Sequence, residues 1–188
     1  MYNWPLINDN ITQQDKQILA DFITTSNRFT NGPKVKEFEQ AWSKWLGVKH
    51  SVMVGSGAAS NYITTAIVRE LKGQKGEIGG TGALGIPVGD VDIDTMAIAY
   101  ETIKAAINSN TKAIVLVHAL GFNGINDKII QLAKEYNLLL IEDCCEAHGA
   151  VYNNKRVGSL SDMSCFSFYF GHHMTTIEGG MVCTNDEE

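Results

Sequence analysis

Two short apolar runs with one amphipathic helix between them constrain the fold of this chain most strongly. Ala113–Val117 and Leu138–Ile141 contain only apolar residues, which is typical of parallel strands covered on both faces. Between them, apolar residues cluster from Ile129 to Ala133, so the spacing predicts the helix that joins two parallel strands. The sequence therefore predicts an α/β domain with a mostly parallel sheet.

An earlier strand and helix meet in a glycine turn. His50–Val54 predicts a strand that runs directly into Gly55–Asn61, GSGAASN, after which a helix is expected. The predicted helix has one face that carries Ala59, Tyr62, Ile63, Ala66 and Ile67. Free backbone N–H groups at the start of such a helix can bind a phosphate. A plain strand-to-helix turn is the alternative, because the pattern is neither a Walker loop nor a GxGxxG fingerprint.

Two further helices are predicted before this strand. Thr12 is followed three residues later by Asp15, which is an N-terminal capping pattern. Pro33 begins a second predicted helix, which ends at Gly47. We assign residues 1–47 to an N-terminal helical arm and residues 48–188 to the large domain.

The stretch from Gly73 to Gly89 contains seven glycines and no helical pattern. Val91–Ile93 then predicts a strand. Asp94 is predicted to cap a helix that carries Met96, Ile98, Tyr100, Ile103 and Ile107. A crossover between parallel strands needs about a dozen residues or more, usually helical, and there is hardly room for one between Ile78 and Val88. The sequence therefore predicts that one crossover is absent.

Polar residues stand at the ends of two predicted strands. Asp143 follows Leu138–Ile141 closely, and ligands of open α/β sheets bind beyond the carboxyl ends of the strands. A second strand, starting at Ser164, leads into a glycine-bracketed loop with His172 and His173. Such a strand and loop can present a reactive side chain. A helix cap and a hairpin with two incidental histidines are the alternatives.

Charge and cysteine spacing exclude several classes of protein. A net charge of −6 without any basic run disfavours a nucleic-acid surface. The sequence has neither a signal-peptide pattern nor a run of membrane-spanning length, so we expect a cytoplasmic protein. The cysteines lack a Cys-x-x-Cys pair, and we expect buried thiols and no metal site. They are Cys144, Cys145, Cys165 and Cys183.

Motifs spread over nearly the whole chain resemble the DegT/DnrJ/EryC1/StrS family of sugar aminotransferases, which are fold-type I pyridoxal-phosphate (PLP) enzymes. They are VGSGAA at 54–59, DID at 92–94, VH at 117–118, IEDCCEAHG at 141–149, and SFYFGH at 167–172 followed by TIEGG at 176–180. The resemblance implies the three-layer large domain of that fold. It also implies a homodimer with active sites at the interface.

The resemblance implies a role for each matching residue. The groups implied to bind the cofactor phosphate are the backbone N–H groups of Gly57, Ala58 and Ala59 and the hydroxyl of Ser167. Asp143 is implied to pair with the pyridinium nitrogen, which lets the ring act as an electron sink. Glu146 stands where the family usually has Gln beside the ring, so its role in cofactor binding stays open.

Position 172 departs from the family pattern. Family members have a Lys there that binds the cofactor covalently, whereas His172 cannot do so but can transfer protons near neutral pH. This departure is similar to the GDP-4-keto-6-deoxy-D-mannose 3-dehydratase branch. The resemblance implies removal of the C3 hydroxyl of a nucleotide-linked 4-keto-6-deoxy sugar. It implies PLP and pyridoxamine 5′-phosphate (PMP) as cofactor forms and glutamate as amino donor.

Two further departures concern length. Family members have an extra loop with an aromatic residue, where residues 79–90 contain none, and a small C-terminal domain beyond Glu188. We therefore expect an incomplete chain, and its own activity stays open. Three alternatives remain. They are an ordinary sugar aminotransferase, disfavoured by the missing Lys, a 3-dehydratase assisted by an iron–sulfur cluster, and an inactive fragment that only binds a partner.

Overall fold

The computed structural model describes residues 11–72, 77–79, 91–92 and 96–187. The chain divides into two compact units, Met1–Phe38 and Glu39–Glu188. Helix α1, Gln13–Thr25, lies in the first unit, and helix α2, Pro33–Leu46, continues from the first unit into the second. Both predicted helices are confirmed, as is the predicted capping box at the start of α1. The division into arm and large domain at residue 47 stays a prediction.

A six-stranded sheet is the main element of the second unit. In chain order the described strands are β1 His50–Val54, β2 Glu77–Gly79, β3 Val91–Asp92, β4 Ala97–Ile98, β5 Thr111–Val117, β6 Leu139–Asp143, β7 Val151–Tyr152, β8 Lys155–Arg156, β9 Met163–Ser167 and β10 Gly180–Thr184. The sheet has the order β1–β10–β9–β6–β5–β2. Within it, β10 is antiparallel to its neighbours and the other pairs are parallel. The predicted mostly parallel sheet is confirmed.

Helices alternate with the strands along the chain, as predicted. They are α3 Gly57–Lys72 after β1, α4 Tyr100–Ala106 before β5, and α5 Asp127–Glu135 between β5 and β6. Side chains alternate along a strand, so α3 and α2 cover opposite faces of β9. Val68 of α3 packs with Cys165, whereas Trp42 of α2 lies edge-on to Phe166 with ring centroids 5.0 Å apart. No helix in the described ranges is long and apolar enough to cross a membrane.

The buried face of α3 differs from the prediction. Its buried residues, which are small and mostly polar, are Gly57, Ser60, Asn61, Thr64 and Val68. The predicted face is half-buried or exposed, and Tyr62 is 70% exposed. The prediction was wrong because it followed the apolar side chains alone. The buried polar side chains have partners within the fold; the hydroxyl of Ser60, for example, donates to the Gly57 carbonyl at 2.6 Å.

The helix predicted to begin at Asp94 starts later in the chain. Met96 lies in a turn with φ of 55°, and β4 follows it and pairs antiparallel with β3. The prediction was wrong because Met96 and Ile98, which precede α4, were counted into a helical pattern. The strand predicted at Val91–Ile93 is confirmed for the two residues of β3. Asp94 itself and the crossover predicted to be absent near residues 80–90 lie outside the described residues.

A buried carboxylate in β6 ties three chain segments together. Glu142 is fully buried. Its hydrogen-bond donors are Gly158 N–H at 2.8 Å, Leu160 N–H at 3.1 Å, Ser161 Oγ at 2.8 Å and His118 Nε2 at 3.2 Å. His118 Nδ1 accepts from Gly124 N–H at 2.9 Å, so the ring proton is on Nε2. Every donor therefore meets an acceptor, and the network fixes the loop before β9 against β5 and β6.

Replacing Glu142 with Gln tests this network. Gln keeps the shape but turns one acceptor into an NH₂ donor that faces other donors. We expect the free energy of unfolding to fall by about 3 kcal/mol or more, as measured by urea unfolding. The same change at Glu135, which is exposed at the end of α5, is the control and should cost less than about 0.5 kcal/mol. Equal losses in the two variants would contradict the network.

His148 is packed among aromatic rings. Its ring stacks on Phe166 at 5.8 Å and on Phe168 at 5.7 Å, and it lies edge-on to Trp42 at 5.8 Å. Both ring nitrogens are buried, and no hydrogen bond of ordinary geometry reaches either of them from the described residues. Burial lowers the pKa of His148 to about 4, and the nearby His173 acts in the same direction. The imidazole is therefore neutral at neutral pH.

This lowered pKa predicts a loss of stability in acid. The unfolded chain binds the proton near pH 6.5, whereas folded His148 binds it only near pH 4. The stabilisation is thus complete above about pH 6.5 and is lost as the pH falls towards 4, by roughly 2–3 kcal/mol. Between about pH 6.5 and pH 4, the free energy of unfolding of His148→Phe should therefore fall by roughly 2–3 kcal/mol less than that of the wild type. An unchanged slope in urea unfolding at a series of pH values would contradict the assignment.

Candidate active site at the carboxyl ends of the strands

The register of the strands determines where the predicted site residues Ser167 and Asp143 lie. Ser167 pairs with Gly180 of β10, and Gly180 pairs with Val54 of β1. Asp143 pairs with Cys165, two residues before Ser167, in parallel strands. Both Asp143 and Ser167 therefore lie at the carboxyl edge of the sheet. Alternation along the strands turns both towards the face that α3 covers.

Two glycines bring the start of α3 directly onto β9 and β10. A Cβ atom at Gly57 would lie 2.5 Å from the Cβ and 2.9 Å from the Oγ of Ser167, and 3.2 Å from the Sγ of Cys145. A Cβ atom at Gly180 would overlap the carbonyl of Ser56. Any larger residue at either position would push the helix away from the sheet. The glycines therefore place the N-terminus of α3 beside the Ser167 hydroxyl.

This helix start can bind an anion. The first N–H groups of a helix have no partner within the helix, and the helix dipole favours negative charge there. The N–H of Ala59 donates to Ser56 Oγ at 3.1 Å, so a ligand would have to compete for it. Ser167 Oγ accepts from Tyr169 N–H at 3.3 Å, which leaves its own proton for a ligand. The phosphate roles of Gly57, Ala58, Ala59 and Ser167 stay predictions.

Asp143 is a buried carboxylate bound only by neutral donors. Asp143 is 7% exposed. Oδ1 accepts from Cys145 N–H at 3.1 Å, and Oδ2 accepts from Asn61 Nδ2 at 2.9 Å. Among the described residues, no Lys, Arg or His lies within ion-pair distance of it. Each oxygen keeps further acceptor capacity, so the group can bind a cationic N–H donor.

Sequence reasoning missed Asn61. Its only signal in the sequence is that a polar residue stands four positions after Gly57, on the same face of the helix. A search for apolar periodicity passes over such a residue.

Glu146 contacts a neighbouring loop. Its Oε2 accepts from Leu120 N–H at 2.7 Å. Leu120 has a positive φ of 56° in the short 3₁₀ turn Ala119–Gly121 that follows β5. Glu146 thus holds this turn near the carboxyl end of the sheet. Its role in cofactor binding stays a prediction.

The loop with His172 is closed at its base by backbone hydrogen bonds. Phe168 N–H donates to the Gly179 carbonyl at 2.9 Å, and Thr176 N–H donates to the Phe168 carbonyl at 3.0 Å. His172 is half-buried, and its ring lies edge-on to Tyr169 at 5.9 Å. The structure thus groups Gly57, Ser167 and Asp143 at the sheet edge. It holds His172 in the adjacent loop without a direct hydrogen bond to them, and its catalytic role stays a prediction.

Cys144, Cys165 and Cys183 are the buried thiols that the sequence predicts, whereas Cys145 is half-buried. Burial raises the pKa of Cys165 to about 12 and of Cys183 to about 11, and it also raises the pKa of Cys144 and of Cys145. All four are therefore protonated and poorly nucleophilic at neutral pH. The ligand atoms of His118, Glu142 and Cys144 lie within 4.8 Å of one another. The first two already serve the Glu142 network, so this cluster has the chemistry of a structural network.

Known proteins share both the sequence pattern and the fold. The sequence model of the DegT/DnrJ/EryC1/StrS aminotransferase family matches residues 10–78 and 76–188. The two matched segments meet in the glycine-rich stretch Gly73–Gly89 of the sequence. The GDP-4-keto-6-deoxy-D-mannose 3-dehydratase of Yersinia pseudotuberculosis is 35% identical over 206 aligned residues, which cover 100% of this chain and 52% of that protein.

Solved structures give the same result. The E. coli GDP-4-keto-6-deoxy-D-mannose-3-dehydratase with bound hydrated PLP is 32% identical with a TM-score of 0.88, over 100% of this chain and 52% of that one. GDP-4-keto-6-deoxymannose-3-dehydratase with a trapped PLP–glutamate geminal diamine is 32% identical with a TM-score of 0.86, over 99% and 52%. The chain spans about half the length of these relatives. It belongs to the DegT/DnrJ/EryC1/StrS aminotransferase family, as its motifs predicted.

Proposed function

We propose that this chain is the cofactor-binding part of an enzyme that removes the C3 hydroxyl from a nucleotide-linked 4-keto-6-deoxy sugar. The observation that carries the proposal is His172 at the position of the family's Lys, in a chain that keeps Asp143, Ser167 and the glycine turn. The similarity to 3-dehydratases over the whole chain supports it. The nucleotide and the sugar of these relatives, GDP and 4-keto-6-deoxymannose, are the substrate we propose.

The site has donors and acceptors that fit PLP or PMP. The N-terminus of α3 at Gly57 and the Ser167 hydroxyl would bind the phosphate. Asp143, which only neutral donors contact, would bind the protonated ring nitrogen. The Glu146 oxygen that does not bind Leu120 would lie beside the cofactor ring. When bound, the cofactor supplies an amine that condenses with the sugar ketone and a ring that accepts electrons.

His172 would carry out proton transfer. An imidazole can accept a proton from the C4′ carbon of the cofactor and donate one to the departing C3 hydroxyl. The backbone N–H of His172 donates to the Tyr169 carbonyl at 3.0 Å, which fixes the turn that presents the ring. His173, which is exposed and lies edge-on to His148 at 5.9 Å, would have a supporting role.

Glutamate would balance the reaction as the second substrate. The C3–O bond breaks, and the hydroxyl leaves as water. Glutamate is oxidised to 2-oxoglutarate and supplies the two electrons that reduce C3, and its nitrogen leaves as ammonia after hydrolysis of the amino sugar. The relative that was trapped with PLP and glutamate supports this donor. We further propose a homodimer, which would cover apolar side chains exposed in the His172 loop, such as Phe170 and Met174.

A sugar aminotransferase is the second candidate, because the family is described by that activity. The two candidates differ in their product. A transaminase leaves the nitrogen on the sugar, whereas the dehydratase releases ammonia and a 3-deoxy sugar. An iron–sulfur-assisted dehydratase or an inactive binding fragment would differ in cofactor content, which mass spectrometry of the purified chain determines.

Replacing His172 with Asn tests the proposed proton transfer. The chain is incubated with PLP, glutamate and GDP-4-keto-6-deoxy-D-mannose, and 2-oxoglutarate and the 3-deoxy sugar are measured by mass spectrometry. We expect the variant to lose activity by about a hundredfold or more. Its PLP affinity should be retained, because the groups at the sheet edge are unchanged.

His173→Asn is the matched control, at the neighbouring residue, and should keep most of the activity. Equal losses of activity in the two variants would contradict a role of His172 in proton transfer. Release of an amino sugar without any 3-deoxy sugar would favour the aminotransferase. A cofactor absorbance typical of a bond to lysine would contradict both the role of His172 and the proposed retention of the cofactor without a covalent bond.

A further inference from the structure

We propose that Asn61 is a positioning residue that fixes the Asp143 carboxylate for a cationic ligand. The proposal rests on the proposed function for the identity of that ligand, the protonated ring nitrogen of PLP. Asn61 lies on the buried side of α3 and is 8% exposed. Its Nδ2 donates to Asp143 Oδ2 at 2.9 Å.

Two elements hold the two oxygens of Asp143 separately. Asn61 on α3 binds Oδ2, while the backbone N–H of Cys145, in the turn after β6, binds Oδ1 at 3.1 Å. A carboxylate that is bound at one oxygen can rotate about its side-chain bonds. Bound at both oxygens from different directions, it keeps one orientation, and the remaining lone pairs point in fixed directions.

A neutral amide fits this position better than a cationic or an apolar side chain. It stabilises the ionised carboxylate by a charge-assisted hydrogen bond without adding a charge. A Lys or Arg would neutralise Asp143 and compete with a cationic ligand. A Leu would leave a buried carboxylate oxygen without its donor, which is costly. The use of Asn inside a helix, where it has low intrinsic propensity, is explained by this contact.

Asn61 also connects the two ends of the proposed cofactor site. It follows Gly57 by four residues on the same helix, so about 6 Å along the helix axis separates them. The glycine turn would bind the phosphate at one end of this segment. Asn61 orients the acceptor for the ring nitrogen at the other end. One rigid helix turn thus sets the distance between the phosphate contact and the ring contact.

Variants at Asn61 and at Thr64 test the proposal. Asn61→Leu removes the donor while keeping the branching and the number of side-chain heavy atoms, and Asn61→Asp replaces it with an acceptor of the same shape. Thr64→Val is the matched control, because Thr64 is buried on the same face one turn later. Its hydroxyl donates to the Asn61 carbonyl at 3.1 Å and lies 3.3 Å from Cys165 Sγ, and it does not contact Asp143.

Three measurements are made on each folded variant. Titration gives the PLP affinity, the absorbance spectrum of bound PLP at neutral pH reports whether the ring nitrogen is protonated, and crystal structures without PLP show the Asp143 side chain. We expect both Asn61 variants to bind PLP about tenfold to a hundredfold more weakly. Their spectra should shift towards the unprotonated ring, and the Asp143 carboxylate should rotate. Thr64→Val should match the wild type in all three.

An Asn61→Leu variant that keeps the Asp143 orientation, the PLP affinity and the spectrum overturns the proposal. The same spectral change in Thr64→Val would also overturn it, because a general packing defect would then explain the result. If the wild type binds no PLP, the proposed function fails instead. In that case the Asp143 orientation in the crystal structures of the three variants still decides the role of Asn61.

Discussion

The contact between the start of α3 and the ends of β9 and β10 is the constraint on which the site depends. A side chain at Gly57 would overlap Ser167, and a side chain at Gly180 would overlap the carbonyl of Ser56. Because both positions are glycine, the helix start and the Ser167 hydroxyl occupy one small region at the sheet edge. The same contact places Asn61, one turn further along α3, against Asp143. A single close approach of backbones thus joins groups from distant segments.

Two adjacent carboxylates at the end of β6 differ in how many hydrogen-bond donors surround them. Glu142 faces one side of the sheet, where backbone, hydroxyl and imidazole donors occupy both of its oxygens. Asp143 faces the other side and has one neutral donor on each oxygen. The alternation of side chains along a strand produces this division. Glu142 therefore holds loops together, whereas Asp143 keeps acceptor capacity on both of its oxygens.

The sequence predicted the parallel strands, the glycine turn and the position of Asp143, because each has a local pattern of apolar residues followed by a break. The predictions failed where the buried side chains are polar. The inner face of α3 is mostly polar, and Asn61 on that face binds Asp143, 82 positions away in the chain. The contacts of Glu142 with His118 and of Glu146 with Leu120 join residues 24 and 26 positions apart. No local pattern marks such pairs, so the roles of Asn61 and Glu146 required the fold.

In the proposed function, holding the cofactor and transferring protons belong to different parts of the site. The holding groups lie on the sheet edge and the start of α3, where glycine contacts and Asn61 fix them. His172 lies in a loop that is tied at its base to Phe168. A change from Lys to His in this loop therefore leaves the sheet edge in place but removes a covalent bond. Retention of the cofactor then depends on noncovalent contacts alone, so the orientation of Asp143 matters more here than in a relative with Lys.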